Sequence, residues 1–201
     1  MTSTRAKWGW GRKAIVGVAA ITSIVGIVMF GGGALMDGHI DLGIEKQLKS
    51  SPSWLYPFLD NAPGIDAWWS VGQEGQPDQV PRMSVRRKSG PESGAGLQVE
   101  FVVADGGGVM ETWTIKSVKP PSEIVYEVDF AGAMKVERTL TLTPDGDGTK
   151  VTWRETGNIE RPAMRWMKMV MPPEEIQANF DRALAALDKA AQNRRAAAPT
   201  Q

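Results

Sequence analysis

"IVYEVDFAGAMKVERTLTLTPDGDGTKVTWRETG", residues 124–157, alternates apolar and polar side chains in three successive runs separated by short, glycine-bearing breaks. Ile124, Tyr126, Val128 and Phe130 share one side of the first run, Met134, Val136, Leu140 and Leu142 one side of the second, and Val151 and Trp153 one side of the third. A two-residue period marks a strand with one face on a core, and breaks this short join antiparallel neighbours. "AGA" and "PDGDGT" supply the turn chemistry. With the last hairpin centred between Gly146 and Asp147, Leu142 faces Val151, Leu140 faces Trp153 and Arg138 faces Glu155. A turn centred on Gly132 sets Phe130 against Met134 and Tyr126 against Arg138.

The same period extends upstream. "LQVEFVV" puts Leu97, Val99, Phe101 and Val103 on one face, and "VMETWTI" puts Val109, Glu111, Trp113 and Ile115 there, with "ADGGG" and "KPPS" as turns. A turn between Lys119 and Pro120 would set Glu111 beside Val128. "PRMSVRRKS" reads as an exposed strand and "GQEGQPDQ" as a loop. "HIDLGIEKQLKS" reads as a first strand, Leu42, Ile44, Lys46 and Leu48 on one side and Asp41, Gly43, Glu45 and Gln47 on the other. Between them, "PSWLYPFLDNAPGIDAWW", residues 52–69, packs Trp54, Tyr56, Phe58, Trp68 and Trp69 into a segment broken by prolines, which predicts two small helices.

The chain closes with a helix. Pro173 suits its first position, and Glu174 and Glu175 suit the positive end of its dipole. Ile176, Phe180, Ala183, Leu184 and Leu187 form one apolar stripe, with Gln177, Asp181, Arg182 and Asp188 off it. "NRRAAAPTQ" predicts a disordered tail, residues 193–201.

At the other terminus, no charged residue occurs from Ala14 to Met36. As a helix this run would be about 34 Å long, enough for a hydrocarbon core of about 30 Å. Arg5, Lys7, Arg12 and Lys13 precede it and Asp37 is the first acidic residue. The positive-inside bias predicts a cytoplasmic segment 1–13, a transmembrane helix 14–36, and an exported domain 37–192 on the outer side of the inner (cell) membrane. A cleaved signal peptide is the competing reading, although its apolar region would be shorter.

Four of the 23 basic residues and none of the 23 acidic ones precede Asp37, which leaves the remainder at −4. That balance argues against a nucleic-acid partner. With no cysteine and one histidine there is no thiolate chemistry, no Cys/His or Ser/His/Asp set, and no metal or cofactor implied.

Strand, two short helices, meander, then one amphipathic helix predicts an α+β domain in which a twisted sheet curls around its last helix. The chain resembles the START-like, helix-grip superfamily, the polyketide cyclase/dehydratase and lipid-transport type also called SRPBCC. "IEKQLKSSPSWLYPFLDNAPGIDAWW" is similar to that family's first strand and helix pair, "GDGTKVTWRETG" to its penultimate hairpin, and "FDRALAALDKAAQ" to its closing helix. The resemblance implies a cavity for a hydrophobic small molecule such as a lipid, isoprenoid or polyketide. It implies no single activity, since carriers and enzymes share the fold.

On that reading the ligand-lining candidates are Trp54, Phe58 and Trp69 of the aromatic segment, which would plug the cavity's mouth, Phe101, Trp113, Tyr126 and Trp153 of the inward strand faces, and Phe180 of the last helix. The rings could equally be plain core. Glu111, Arg138 and Glu155 interrupt the apolar alternation. They are either an ion pair that fixes register or the polar atoms that orient a ligand's head group. "ERPAMRWMKMVMPPEE" brings Trp166 and four methionines just before the last helix, as a gate, a membrane-resting patch, or irregular packing. The function expected is a membrane-anchored carrier. A cyclase or dehydratase using Glu111 or Glu155 with Tyr126, or a ligand-free interaction module, are the alternatives.

Overall fold

The computed structural model describes residues 31–72, 83–103, 107–170 and 173–198. Seven strands form one antiparallel sheet: β1 (His39–Leu48), β2 (Met83–Ser89), β3 (Gln98–Val103), β4 (Val109–Lys119), β5 (Glu123–Asp129), β6 (Lys135–Asp145) and β7 (Gly148–Asn158), in the order β1-β7-β6-β5-β4-β3-β2. From β2 onward each strand pairs with its sequence neighbour, as short turns require, and β1 closes against β7.

The turns set the register. Asp145 pairs with Gly148 across a two-residue turn whose Gly146 has φ +58°, a conformation that favours glycine. Leu142 therefore faces Val151, Leu140 faces Trp153 and Arg138 faces Glu155, as the sequence predicts. Tyr126 faces Arg138, and the Phe130 amide donates to the Met134 carbonyl (3.0 Å).

The β4–β5 hairpin differs from expectation. Its turn runs from Lys119 to Glu123, with a bulge between Ile115 and Ser117, so Trp113 rather than Glu111 faces Val128. Glu111 instead pairs with Phe101 on β3. The slip is an even number of residues, so Glu111 stays on the inward face.

The helices that matter for the grip are α1 (Pro52–Leu55), continued by a 3-10 turn (Tyr56–Phe58), then α2 (Ala62–Gly72) and α3 (Pro173–Ala197), while a 3-10 turn (Pro162–Met164) and a short helix (Met167–Val170) bridge β7 and α3. α3 buries Phe180, Ala183, Leu184, Leu187 and Ala191 against the sheet and α2. It runs to Ala197, through residues expected to begin a disordered tail. Asp188 also departs from its expected solvent face. It is buried, because its carboxylate accepts the backbone amides of Ser50 (3.0 Å) and Lys49 (3.2 Å) where β1 ends.

The topology gives the domain two distinct ends. His39, Asn158, Lys135, Asp129, Val109, Val103 and Met83 gather at one, here the loop end, together with the segment that enters β1 and the one that precedes α3. α1 and the 3-10 turn lie at the opposite end, against the C-terminal half of α3, where the Arg194 guanidinium stands 5.7 Å from the Phe58 ring. The proline-broken segment thus caps the end away from the entering chain. α2 then returns toward the loop end, where Asp66 accepts the Val85 amide (2.8 Å) and Ser70 donates to the Met83 carbonyl (3.0 Å).

Most of the expected transmembrane helix, residues 14–30, lies outside the described residues, as do the segment 1–13 and the loop 73–82. Of the run's end, Gly33–Leu35 form a single helical turn and Met36 is extended. Among the described residues no helix is long and apolar enough to cross a membrane.

Candidate ligand site

Alternation along β4, β5, β6 and β7 sends Trp113, Tyr126, Arg138 and Trp153 into one layer between sheet and helices. Trp69 descends on it from α2 and Phe180 from α3. Ring centroids lie 4.9 Å apart for Trp69–Trp113, 4.4 Å for Phe101–Trp113, 5.2 Å for Trp113–Tyr126 and 4.6 Å for the stacked pair Trp153–Phe180. The middle of the grip is therefore filled by rings, and α3 touches the sheet directly there.

Arg138 sits inside this layer, only 2 % exposed. Its guanidinium carbon is 4.2 Å from the Trp113 ring centroid, 4.9 Å from Trp153 and 5.4 Å from Trp69. Nε donates to Glu155 Oε1. Leaving a buried guanidinium unpaired costs roughly 3–5 kcal/mol. The Glu155 carboxylate offsets that cost, and two close indole faces add roughly 1–2 kcal/mol each. The Trp153 indole N–H also donates to Glu155 Oε1 (3.2 Å), which fixes the carboxylate from a second side.

Glu111 stands nearby, accepting the Trp113 indole N–H at 2.7 Å. Burial pushes its pKa above the usual carboxylate value, against the pull of Arg138 and the Trp113 hydrogen bond, and the charge of Glu155 adds to the rise. Tyr126 donates its hydroxyl to the Leu59 carbonyl (2.6 Å), and burial holds its pKa well above the ordinary phenol value. Three buried donors have no partner among the described residues: Arg138 Nη1 and Trp69 Nε1 in this layer, and the Tyr56 hydroxyl at the far cap. Buried polar groups normally find a partner, so donors without one mark a place where another acceptor belongs.

Of the sequence candidates, Trp69, Phe101, Glu111, Trp113, Tyr126, Arg138, Trp153, Glu155 and Phe180 come together here. Trp54 and Phe58 belong to the far cap instead. Trp166 lies at the loop end beside Gly32, outside the ring layer. Sequence reading missed Leu59, whose carbonyl anchors Tyr126, because a backbone acceptor carries no residue signature. A surface depression of about 250 Å³ beside Asp41, Gly43 and Arg154 opens on the outer face of β1 and β7, away from this layer. Among the described residues, no group of three or more histidines or carboxylates is placed to hold a metal ion.

The model of a family described as polyketide cyclase / dehydrase and lipid transport matches residues 51–192. No curated protein matches the chain. Solved structures similar to it include protein CV1439 of Chromobacterium violaceum, at 17 % identity and TM-score 0.55, covering 75 % of this chain and 96 % of that one. Major latex-like protein 151 of Panax ginseng is similar at 11 % identity and TM-score 0.55, with the same two coverages. TTHA0849 of Thermus thermophilus is similar at 15 % identity and TM-score 0.54, covering 79 % of this chain and all of that one.

Proposed function

Because the chain belongs to the polyketide cyclase / dehydrase and lipid transport family, we propose that its domain binds and carries a hydrophobic small molecule, of lipid, isoprenoid or polyketide type. The observation that carries this reading is the Nη1 of Arg138, a buried donor without a partner among the described residues, in an aromatic enclosure on the half of the sheet nearer the loop end. An apolar body with one polar head suits such a place, since a few fixed polar groups orient a ligand that apolar walls hold. Rings fill the middle of the grip, so the guest enters from the loop end and its head meets Arg138 and Glu111. The charge-free run from Ala14 to Met36 supports a retained inner-membrane anchor, with the N-terminus cytoplasmic and the domain outside. Tethering raises the effective concentration of the site near bilayer-dissolved ligand.

The test is native mass spectrometry of the full chain extracted from its own membranes, beside Arg138→Leu/Glu155→Leu, which removes the head-group donor without stranding a charge. Retained ligand in the wild type and a folded, ligand-free variant support the reading. Equal ligand in both sinks it.

Glu111 favours a second reading. A carboxyl whose pKa is raised by burial suits general acid work in a cyclase or dehydratase. Turnover of an added polyketide substrate that disappears in Glu111→Gln would support it.

A further inference from the structure

Arg165, between β7 and α3, holds the chain that enters β1. Its Nη1 donates to the carbonyls of Gly33 (3.3 Å), Ala34 (3.4 Å) and Met36 (3.0 Å), while Nε donates to Ile159 (3.0 Å). Lys168 adds bonds from Nζ to the carbonyls of Asp37 (3.2 Å) and His39 (2.8 Å). Carbonyls left open where a helix ends are the groups a cation satisfies best. The approach is close as well. A Cβ on Gly33 would come within 2.0 Å of the Pro162 carbonyl oxygen, so backbone lies directly on backbone. Two cations therefore clasp the incoming segment to the folded domain.

Three large apolar side chains stand in solvent among the described residues: Leu35 at 91 %, Met169 at 68 % and Met110 at 48 % exposure. Scattered singly, such residues need no explanation. All three belong to the loop end. Leu35 and Met169 adjoin the two sides of the clasp, and Met110, the second residue of β4, lies at the same end of the sheet four strands from β1. The charge-free run that starts at Ala14 arrives at this end too. The charges nearby are mixed, Lys135, Arg161, Arg165 and Lys168 against Asp37, Asp129 and Glu160, and Arg165 and Lys168 are engaged by backbone carbonyls, so no strong field of one sign marks this end for an electrostatic partner.

We propose that the loop end is a bilayer-contacting surface: Leu35, Met110 and Met169 enter the headgroup layer, and the Arg165–Lys168 clasp keeps that end turned toward the membrane. The proposal rests on the anchored reading given above. It gives the ligand a route from lipid to Glu111 and Arg138 that never crosses bulk water.

The chain has no cysteine, so single spin labels are simple to place. Full-length chain carrying Met110→Cys, Met169→Cys or, at the opposite end, Asp147→Cys is reconstituted into phosphatidylcholine nanodiscs. Power saturation then compares dissolved oxygen with a water-soluble nickel chelate. Labels at 110 and 169 should favour oxygen several-fold over the label at 147, and Arg165→Ala should bring both back toward the 147 value while the chain stays in the disc. Nickel accessibility at 110 and 169 equal to that at 147, in a chain that has entered the disc, overturns the surface and leaves the anchor standing. A chain that does not enter the disc overturns both. Unchanged labels in Arg165→Ala overturn the clasp.

Discussion

Asp188 of α3 accepts the backbone amide of Ser50 at 3.0 Å, across 138 residues of sequence. The same carboxylate takes the Lys49 amide and a Gln192 side-chain N–H, while the Ser50 carbonyl accepts the Thr149 hydroxyl at 2.7 Å. Two side chains, Asp188 and Thr149, thus join the last helix, the end of the first strand and the closing hairpin at Ser50.

Asp188→Ala should lower stability by about 1–3 kcal/mol, the cost of leaving buried amides without an acceptor. Chemical denaturation at neutral pH measures it. A loss below a few tenths of a kcal/mol would show that water replaces the carboxylate.

Glu155→Leu should destabilise by about 3–5 kcal/mol, since Arg138 is then buried without its counter-ion. Arg138→Leu/Glu155→Leu should be less destabilised than Glu155→Leu alone. A double variant as damaged as the sum of the two single changes would mean that the pair is uncoupled.

Glu111 predicts a pH dependence. Its folded-state pKa lies above the 4.5 of an ordinary glutamate, so protonation favours the native state. This contribution is full below pH 4.5 and is lost as pH rises through the folded value. Glu111→Gln removes it. Unfolding free energies of wild type and variant, compared at successive pH values, should diverge in the variant's favour as pH rises above 4.5. A constant difference across that range contradicts the assignment.

Tyr126→Phe should cost about 1–3 kcal/mol, because the Leu59 carbonyl loses its donor inside the core. Thermal unfolding reads it, and an unchanged midpoint would argue that a water takes the hydroxyl's place.

The strands were legible because burial on one face imposes a two-residue period, and short turns then fixed which residues meet. Arg138 opposite Glu155 follows from the Gly146–Asp147 turn alone. Glu111 beside Val128 failed because the turn spans Lys119 to Glu123 instead of centring between Lys119 and Pro120, and the Ile115–Ser117 bulge restores only part of that shift. Asp188 looked solvent-facing since it falls off the apolar stripe, and only a partner at Ser50 explains its burial. Arg165 carries no local sign at all, being an ordinary basic residue until the chain at Gly33–Met36 lies beside it. Alternation reports which face a residue takes. It does not report what a distant segment will bring to it.

The pairing of β1 with β7 bears on how the molecule is made. Strands β2 to β7 each have a partner within a connection of at most eight residues, whereas His39 pairs with Asn158, so on contact order β1 is expected to wait for β7. β1 is synthesised first and zipped last. A nascent chain halted before Gly148 holds a ten-residue ribbon with no ladder to join, so premature termination there should leave a product prone to stray strand exchange.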